Sequence, residues 1–454
     1  MRFNMYHPLF WCGMLFLACM LNAQSSFSLK DCIEYAKTHH STLKTGEYDI
    51  AIAQKRVNEQ IGSGLPQITA SGSLDDNLKK ATQLMPAAMF GGPSGSYVEM
   101  ESGTRYSMSA GVSLNQNIIN PSFWIGLESA RISKKLSEQR FQQSYEQVVY
   151  GIGLAYYQSM ILQKQVRILQ ATLDASNASL RAAELRFANG MAKQTDIDRL
   201  RISFNNARSQ MEQTAMNYEQ SLNSLKFNLG MPVDSALILA DTLLPTSFAD
   251  TSVDTSVAMA VESRSDYRLQ ETNLFLSKLD RKKLFASTLP VLTGYVNLRY
   301  NAANEEFNLI DKDQKWYESS AIGLQLSMPL FSGLQTFQRI AQLRLTMIKA
   351  EETLKQTEQS IKVNVSNYLV QYKTTLAQIT NESDNYELAK RVYADTRLEF
   401  EQGVSSTYNL VQAESSLREA QNNYFNKLLN FYIARIGLEQ AKGTLVSFFL
   451  TKER

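Results

Sequence analysis

The strongest constraint on this chain is that it is written twice. Residues 183–190 read Ala-Glu-Leu185-Arg-Phe187-Ala-Asn-Gly190, and residues 396–403 read Thr-Arg-Leu398-Glu-Phe400-Glu-Gln-Gly403. The register holds beyond both motifs: Ile197, Leu200, Phe204, Ala207 and Met211 become Leu410, Ala413, Leu417, Ala420 and Tyr424. Steps of three and four are a coiled-coil seam. Leu65-Pro66 recurs as Leu289-Pro290, and Gly111 to Ile119 matches Gly323 to Phe331. Matches kept in one order mark a tandem duplication. The 454 residues are therefore one architecture repeated, rather than two or three unrelated domains.

Each half carries the order helix, strand, strand, long helix, helix. Ser28 is a good N-cap with Asp31 at the reciprocal position, and the helix it opens is expected to run to about Ile61, before Gly62, Gly64 and Pro66. Residues 66–78 and 105–116 alternate. Ile68, Ala70, Gly72 and Leu74 share one face of the first strand, and Met108, Ala110, Val112 and Leu114 share one face of the second. Between them lies a stretch rich in Gly, Pro and Ser, expected to be a loop. Residues 290–301 and 316–328 repeat the pattern, with Val296, Leu298 and Tyr300 on one face and Ile322, Leu324 and Leu326 on another. No other sheet is expected. Asn120-Pro121 and Ser332-Gly333 open the long helices, to about Ala188 and Glu399.

Those long helices are each roughly 100 Å at 1.5 Å per residue. Each is matched in length by two shorter helices laid end to end, about Ser28–Ile61 with Lys193–Leu229, and Val257–Phe285 with Ser406–Ala441. The lengths therefore imply a tall helical wall attached to strands.

The N-terminus has the form of a secretory signal, residues 1–23. Arg2 precedes an apolar run from Leu9 to Leu21, and Leu21-Asn22-Ala23 precedes a cleavage point. Cys12 and Cys19 fall inside it, and acylation at Cys19 stays open as an alternative. Only Cys32 is then left in the mature chain, so no intrachain disulfide forms. The first repeat occupies 24–240, a linker 241–254, the second repeat 255–445 and a tail 446–454. No later apolar run reaches the length of a membrane helix. Entry into a membrane must then be as a closed β-barrel. Alternation over about 10 residues, apolar against small polar, is how a membrane strand reads. Four strands cannot close a barrel, since about eight is the smallest, so several chains must contribute. A dimer and a trimer both satisfy that count.

Lys plus Arg at 46 nearly balance Asp plus Glu at 44, which argues against a nucleic-acid partner. The mature histidines, His39 and His40, are adjacent and diverge on a helix, so no metal site is expected. No phosphate loop or nucleophile elbow is present, so neither enzyme activity nor a cofactor is expected.

The duplicated order of landmarks closely resembles the TolC-like outer-membrane factor family over nearly all of the mature chain. It rests on the Ser28-Leu29 opening, both Leu-Pro junctions, Pro329-Leu330-Phe331-Ser332-Gly333, and the paired Phe-x-x-Gly motifs. The resemblance implies a mainly α protein with membrane β. Three copies would form a trimeric 12-stranded outer-membrane β-barrel, in contact with outer-membrane lipid and continued by a long periplasmic α-helical barrel. It implies an efflux or type I secretion duct, coupled through a periplasmic adaptor to a proton-driven or ATP-driven inner-membrane pump. Phe187, Gly190, Met191, Phe400, Gly403 and Val404 would lie at the adaptor contact. The family's acidic gate residues fall here on Asn409 and Gln412, a departure. Asp196 is then the remaining candidate for an anionic ring at the pore constriction, although an acid there also suits a helix N-terminus. A periplasmic coiled-coil scaffold or adaptor without a barrel is the alternative reading of the same heptads.

Overall fold

A computed structural model describes residues 26–240, 253–308 and 311–451. The expected signal, with Cys12 and Cys19, and most of the linker lie outside the described residues. The elements in order are α1 (Leu29–His39), α2 (Ser41–Gly62), β1 (Gln67–Asp76), β2 (Ala81–Pro86), β3 (Tyr97–Ser102), β4 (Tyr106–Ile119), α3 (Pro121–Ala188) and α4 (Gln194–Leu229). The second half adds α5 (Val253–Ser263), α6 (Ser265–Ala286), β5 (Val291–Asn304), β6 (Tyr317–Ser327), α7 (Gln335–Glu401), α8 (Thr407–Ala441) and α9 (Leu445–Thr451). The chain divides into two compact units. One holds Asp49–Glu138 with Leu269–Leu354, and the other holds the remaining described residues.

In the first unit, β1, β4, β5 and β6 form one antiparallel sheet in that order. Its register sets like against like. Ile68 faces Leu114 and Ala70 faces Val112; Val112 faces Leu298 and Leu114 faces Val296; Val296 faces Ile322 and Gly294 faces Leu324. A mainly apolar face results, interrupted on β6 by Ser320 opposite Leu298 and Glu318 opposite Tyr300. A one-residue slip would break it on every strand. On the other face Thr69 and Ser113 share a hydroxyl hydrogen bond of 2.7 Å, and Ser73 and Ser109 one of 2.9 Å. The apolar face is bare: Ile322 is 84% exposed and Leu324 69%. Among the described residues, both edges, β1 and β6, lack a neighbouring strand.

The stretch expected to be a loop between β1 and β4 holds a second sheet. β2 pairs with β3, Ala81 opposite Ser102 and Pro86 opposite Tyr97. The expectation of no other sheet is therefore corrected. Both strands are exposed almost throughout, so neither needs the apolar alternation that marks a half-buried strand.

The other unit holds the main core, where α1, α3, α4, α7, α8 and α9 meet around Ile152, Tyr156, Tyr372, Phe431 and Tyr432. Tyr157 stacks on Tyr432 at 4.7 Å. The Tyr156 hydroxyl donates to the Ala240 carbonyl at 2.6 Å, beside a bridge between Phe27 and Leu239. The helix expected from Ser28 to Ile61 is broken at His40, whose backbone is extended. The one expected from Val257 to Phe285 is broken at Arg264. Both breaks meet a left-handed glycine that follows a helix. A Cβ on Gly230 would stand 2.8 Å from the His39 carbonyl oxygen, and one on Gly443 would stand 3.1 Å from the Arg264 nitrogen. The duplicated halves thus repeat this junction as well. The residues expected as a tail begin with α9, which buries Leu445 and Phe449 in the core. No helix among the described residues is long and apolar enough to cross a membrane.

Candidate functional site: the paired helical turns

The two Phe-x-x-Gly motifs close the α3–α4 and α7–α8 hairpins with the same turn. Gly190 has φ 72° and Gly403 φ 81°, a conformation open to glycine without steric cost. The Met191 N–H donates to the Arg186 carbonyl at 2.8 Å, and the Val404 N–H donates to the Glu399 carbonyl at 2.9 Å. The Gly190 and Gly403 N–H groups donate to the Phe187 and Phe400 carbonyls. These bonds satisfy the last carbonyls of each helix.

The helices that leave the two turns start differently. The Asp196 carboxylate accepts from the Lys193 N–H at 3.3 Å, closing the α4 N-terminus. At the matching position of α8, Asn409 supplies no acid, and the Ser406 hydroxyl accepts from the Asn409 N–H at 3.2 Å. Asn409 and Gln412 are exposed, while Asp196 is half-buried.

Side chains separate the two turns further. Met191 and Val404 are 72% and 78% exposed. Phe187 is 42% exposed, whereas its counterpart Phe400 is 4% exposed. Phe400 packs into a layer with Leu180, Leu200 and Leu410, and Arg186 covers it. Its guanidinium lies over the Phe400 ring, 5.0 Å from the centroid, and donates to the Glu401 carbonyl at 2.7 Å. Residue 399, the repeat of 186, is Glu, so nothing equivalent reaches Phe187.

Behind the turns, Leu180, Ala183, Ile197, Leu200, Phe400, Leu410 and Leu417 pack together. Within this layer sits Glu414, 1% exposed. Arg418 approaches it at 3.5 Å and donates to the Ser203 carbonyl at 3.3 Å, tying α8 to α4. Burial pushes the Glu414 carboxyl above the ordinary glutamate range. The Arg418 charge and the Ser203 and Ser176 hydroxyls pull back less strongly. Burial pushes the nearby Tyr393 hydroxyl up to about 12. The motifs alone do not single out Arg186 or Glu414. The signals for them are the Arg186/Glu399 mismatch inside matched motifs, and an acid beside the apolar seam of α8.

A bare apolar sheet face, unpaired edges and long hairpins closed by glycine turns are the parts of an outer-membrane channel subunit. The model of the family described as "Outer membrane efflux protein" matches residues 32–231 and 284–444, and the chain belongs to that family. The outer membrane protein TolC of Vibrio cholerae is 19% identical over 340 residues, 74% of this chain and 77% of that protein. The alkaline protease secretion protein AprF of Pseudomonas aeruginosa is 21% identical over 312 residues, 68% of this chain and 64% of that protein. Among solved structures, the outer membrane protein VceC of Vibrio cholerae superposes with a TM-score of 0.71 at 16% identity, covering 91% of this chain and 96% of that one. The protein is thus an outer-membrane protein with a periplasmic helical portion, in a family of efflux and secretion channels.

Proposed function

We propose that three copies join sheet edges, β6 of one to β1 of the next, into a twelve-stranded barrel through the outer membrane. The helices continue this barrel as a periplasmic duct, coupled through an adaptor to a proton-driven or ATP-driven inner-membrane pump. The observation that carries the proposal is the four-stranded sheet with an exposed, mainly apolar face and two open edges. Lipid tolerates that face but not those edges, because unpaired backbone groups cost several kcal/mol each in hydrocarbon. Both motif turns then serve as the adaptor contact. Phe187, Met191 and Val404 present apolar surface, Gly190 and Gly403 shape the backbone, and Phe400 supports the second turn from beneath. Asp196, Asn409 and Gln412 form the rim of the pore constriction, with Asp196 the sole acid of the three.

The test separates barrel from contact. Val112→Asp or Leu324→Asp places a charge on the lipid face and should abolish trimers in the outer-membrane fraction. Met191→Asp with Val404→Asp alters only exposed side chains and should leave trimers intact while export and adaptor capture fall. Trimers that tolerate Leu324→Asp would sink the barrel. Export unaffected by the paired turn variant would sink the contact.

A further inference from the structure

At the α6–β5 junction lies a groove of about 640 Å³ between α3, α6 and α7. That volume lies in the range of small-molecule sites. Its floor is apolar, with Ile125, Phe285, Leu289, Ile340 and Met347. Lys278, Arg281 and Lys282 stand on one side. They follow a helical i, i+3, i+4 spacing, so they share a face. All three are exposed. Among the described residues, none of the three is in an ion pair and no acidic side chain lines the groove.

Three observations say what fits there. First, the cations belong to one repeat only. With Leu289 aligned on Leu65, their counterparts are Gln54, Val57 and Asn58, so the duplication does not require them. Second, α3 and α6 line a separate polar groove with α2, at Arg56, Glu59, Gln60, Ser129, Ser133 and Lys283. The two grooves divide the lining of these helices, one apolar beside three cations and the other polar with Glu59 among its walls. Third, its height suits a headgroup. Leu289-Pro290 leads directly into β5, and the trio stands roughly 20–30 Å of chain before that strand at helical and extended rises. Phe285, Leu330, Phe331, Leu334 and Phe337, all exposed, carry apolar surface beyond the strand ends toward that level.

We propose that this groove binds an anionic glycerophospholipid of the inner leaflet. An acyl chain lies on Ile125, Phe285, Leu289 and Met347, and the phosphate sits among Lys278, Arg281 and Lys282. Long cationic side chains rest their stems on apolar surface and place their charge at the headgroup. The proposal rests on the membrane-barrel reading above.

The experiment is native mass spectrometry of the full protein in detergent, titrated with phosphatidylglycerol or with phosphatidylcholine. The wild type should retain phosphatidylglycerol about ten- to hundredfold more tightly than phosphatidylcholine. Lys278→Gln with Arg281→Gln and Lys282→Gln should erase that preference. Arg56→Gln with Lys283→Gln, on the polar groove, should leave it unchanged. Equal retention of both lipids by the wild type, or an undiminished preference in the triple variant, overturns the site. So does a wild type that retains no phosphatidylglycerol, the result expected if a second copy covers the groove. The protein's own mass reports trimerisation in the same spectra. A trimer without preferred lipid sinks only this site, whereas lipid preference on a chain that never forms trimers sinks only the barrel.

Discussion

The α3–α4 and α7–α8 turns share a motif, a left-handed glycine and the same backbone hydrogen bonds, yet their aromatic residues are in opposite environments. Phe400 is buried under Arg186, and Phe187 is exposed. Turn geometry arises from local chemistry, since a helix end and a glycine suffice. Burial arises from the neighbour each turn meets. The second turn meets the first within the same chain. Phe187 has no such cover, and in the proposed duct it is left for a partner outside the chain. Duplication thus made two equal backbones, and unequal neighbours made them unequal in chemistry: Phe400 sits in an apolar layer under Arg186, whose repeat position is Glu399.

Removing the aromatic rings breaks the comparison most sharply. Phe400→Ala should lower the local opening free energy of the α7–α8 turn by about 3–5 kcal/mol, the usual cost of emptying a buried aromatic site. Phe187→Ala should change its own turn by no more than about 0.5 kcal/mol, as exposed positions do, while lowering adaptor capture. Amide hydrogen exchange over 399–404 and 186–191 measures both. Equal losses would show that the two rings support their turns alike.

A smaller effect tests the cause. Arg186→Gln should loosen the second turn by about 1–2 kcal/mol, for one carbonyl hydrogen bond and a cation–π contact. Its signature is location: exchange rises at 399–404 more than at 186–191. Glu399→Gln, the repeat-matched change, should do little to either. Combining Arg186→Gln with Phe400→Ala should be less than additive, because each removes the same contact.

Much of the fold is legible in the sequence. The duplication places both turns, and strict alternation at Ile68–Leu74 and Met108–Leu114 places two one-sidedly apolar strands whose observed pairing sets those residues opposite one another. The helix breaks are not legible, because His40 and Arg264 are not helix breakers. What meets those breaks is the approach of Gly230 and Gly443 from distant parts of the chain. The β2–β3 hairpin is hidden because Gly91, Gly92, Pro93 and Gly95 dominate its connection and its strands bury almost nothing. At the turns, the motif is visible and the burial is not. Identical Leu-x-Phe-x-x-Gly strings give no warning that one ring is 4% exposed and the other 42%.

The smallest effect distinguishes the layers behind the two turns. Glu414 in α8 corresponds to Arg201 in α4. Arg201 is exposed and bridges Glu184 at 3.0 Å, while Glu414 is buried against Arg418. Burial raises the Glu414 carboxyl above its value in the unfolded chain. The folded protein therefore takes up this proton first as pH falls. Its contribution to stability is fully present below the ordinary glutamate value and is lost as pH rises through the raised folded value. Between those two values, packing of α4 on α8 should strengthen on acidification. Burial also raises Glu146, which acts in the same direction, so only a difference between variants isolates Glu414. Thermal unfolding of the wild type and of Glu414→Gln, followed by helical circular dichroism from neutral to mildly acidic pH, supplies that difference. Glu414→Gln should gain less on acidification than the wild type. Arg201→Gln, the repeat-matched control, should keep the full gain. If Glu414→Gln keeps the wild-type slope, the buried carboxylate does not set the pH response of this layer.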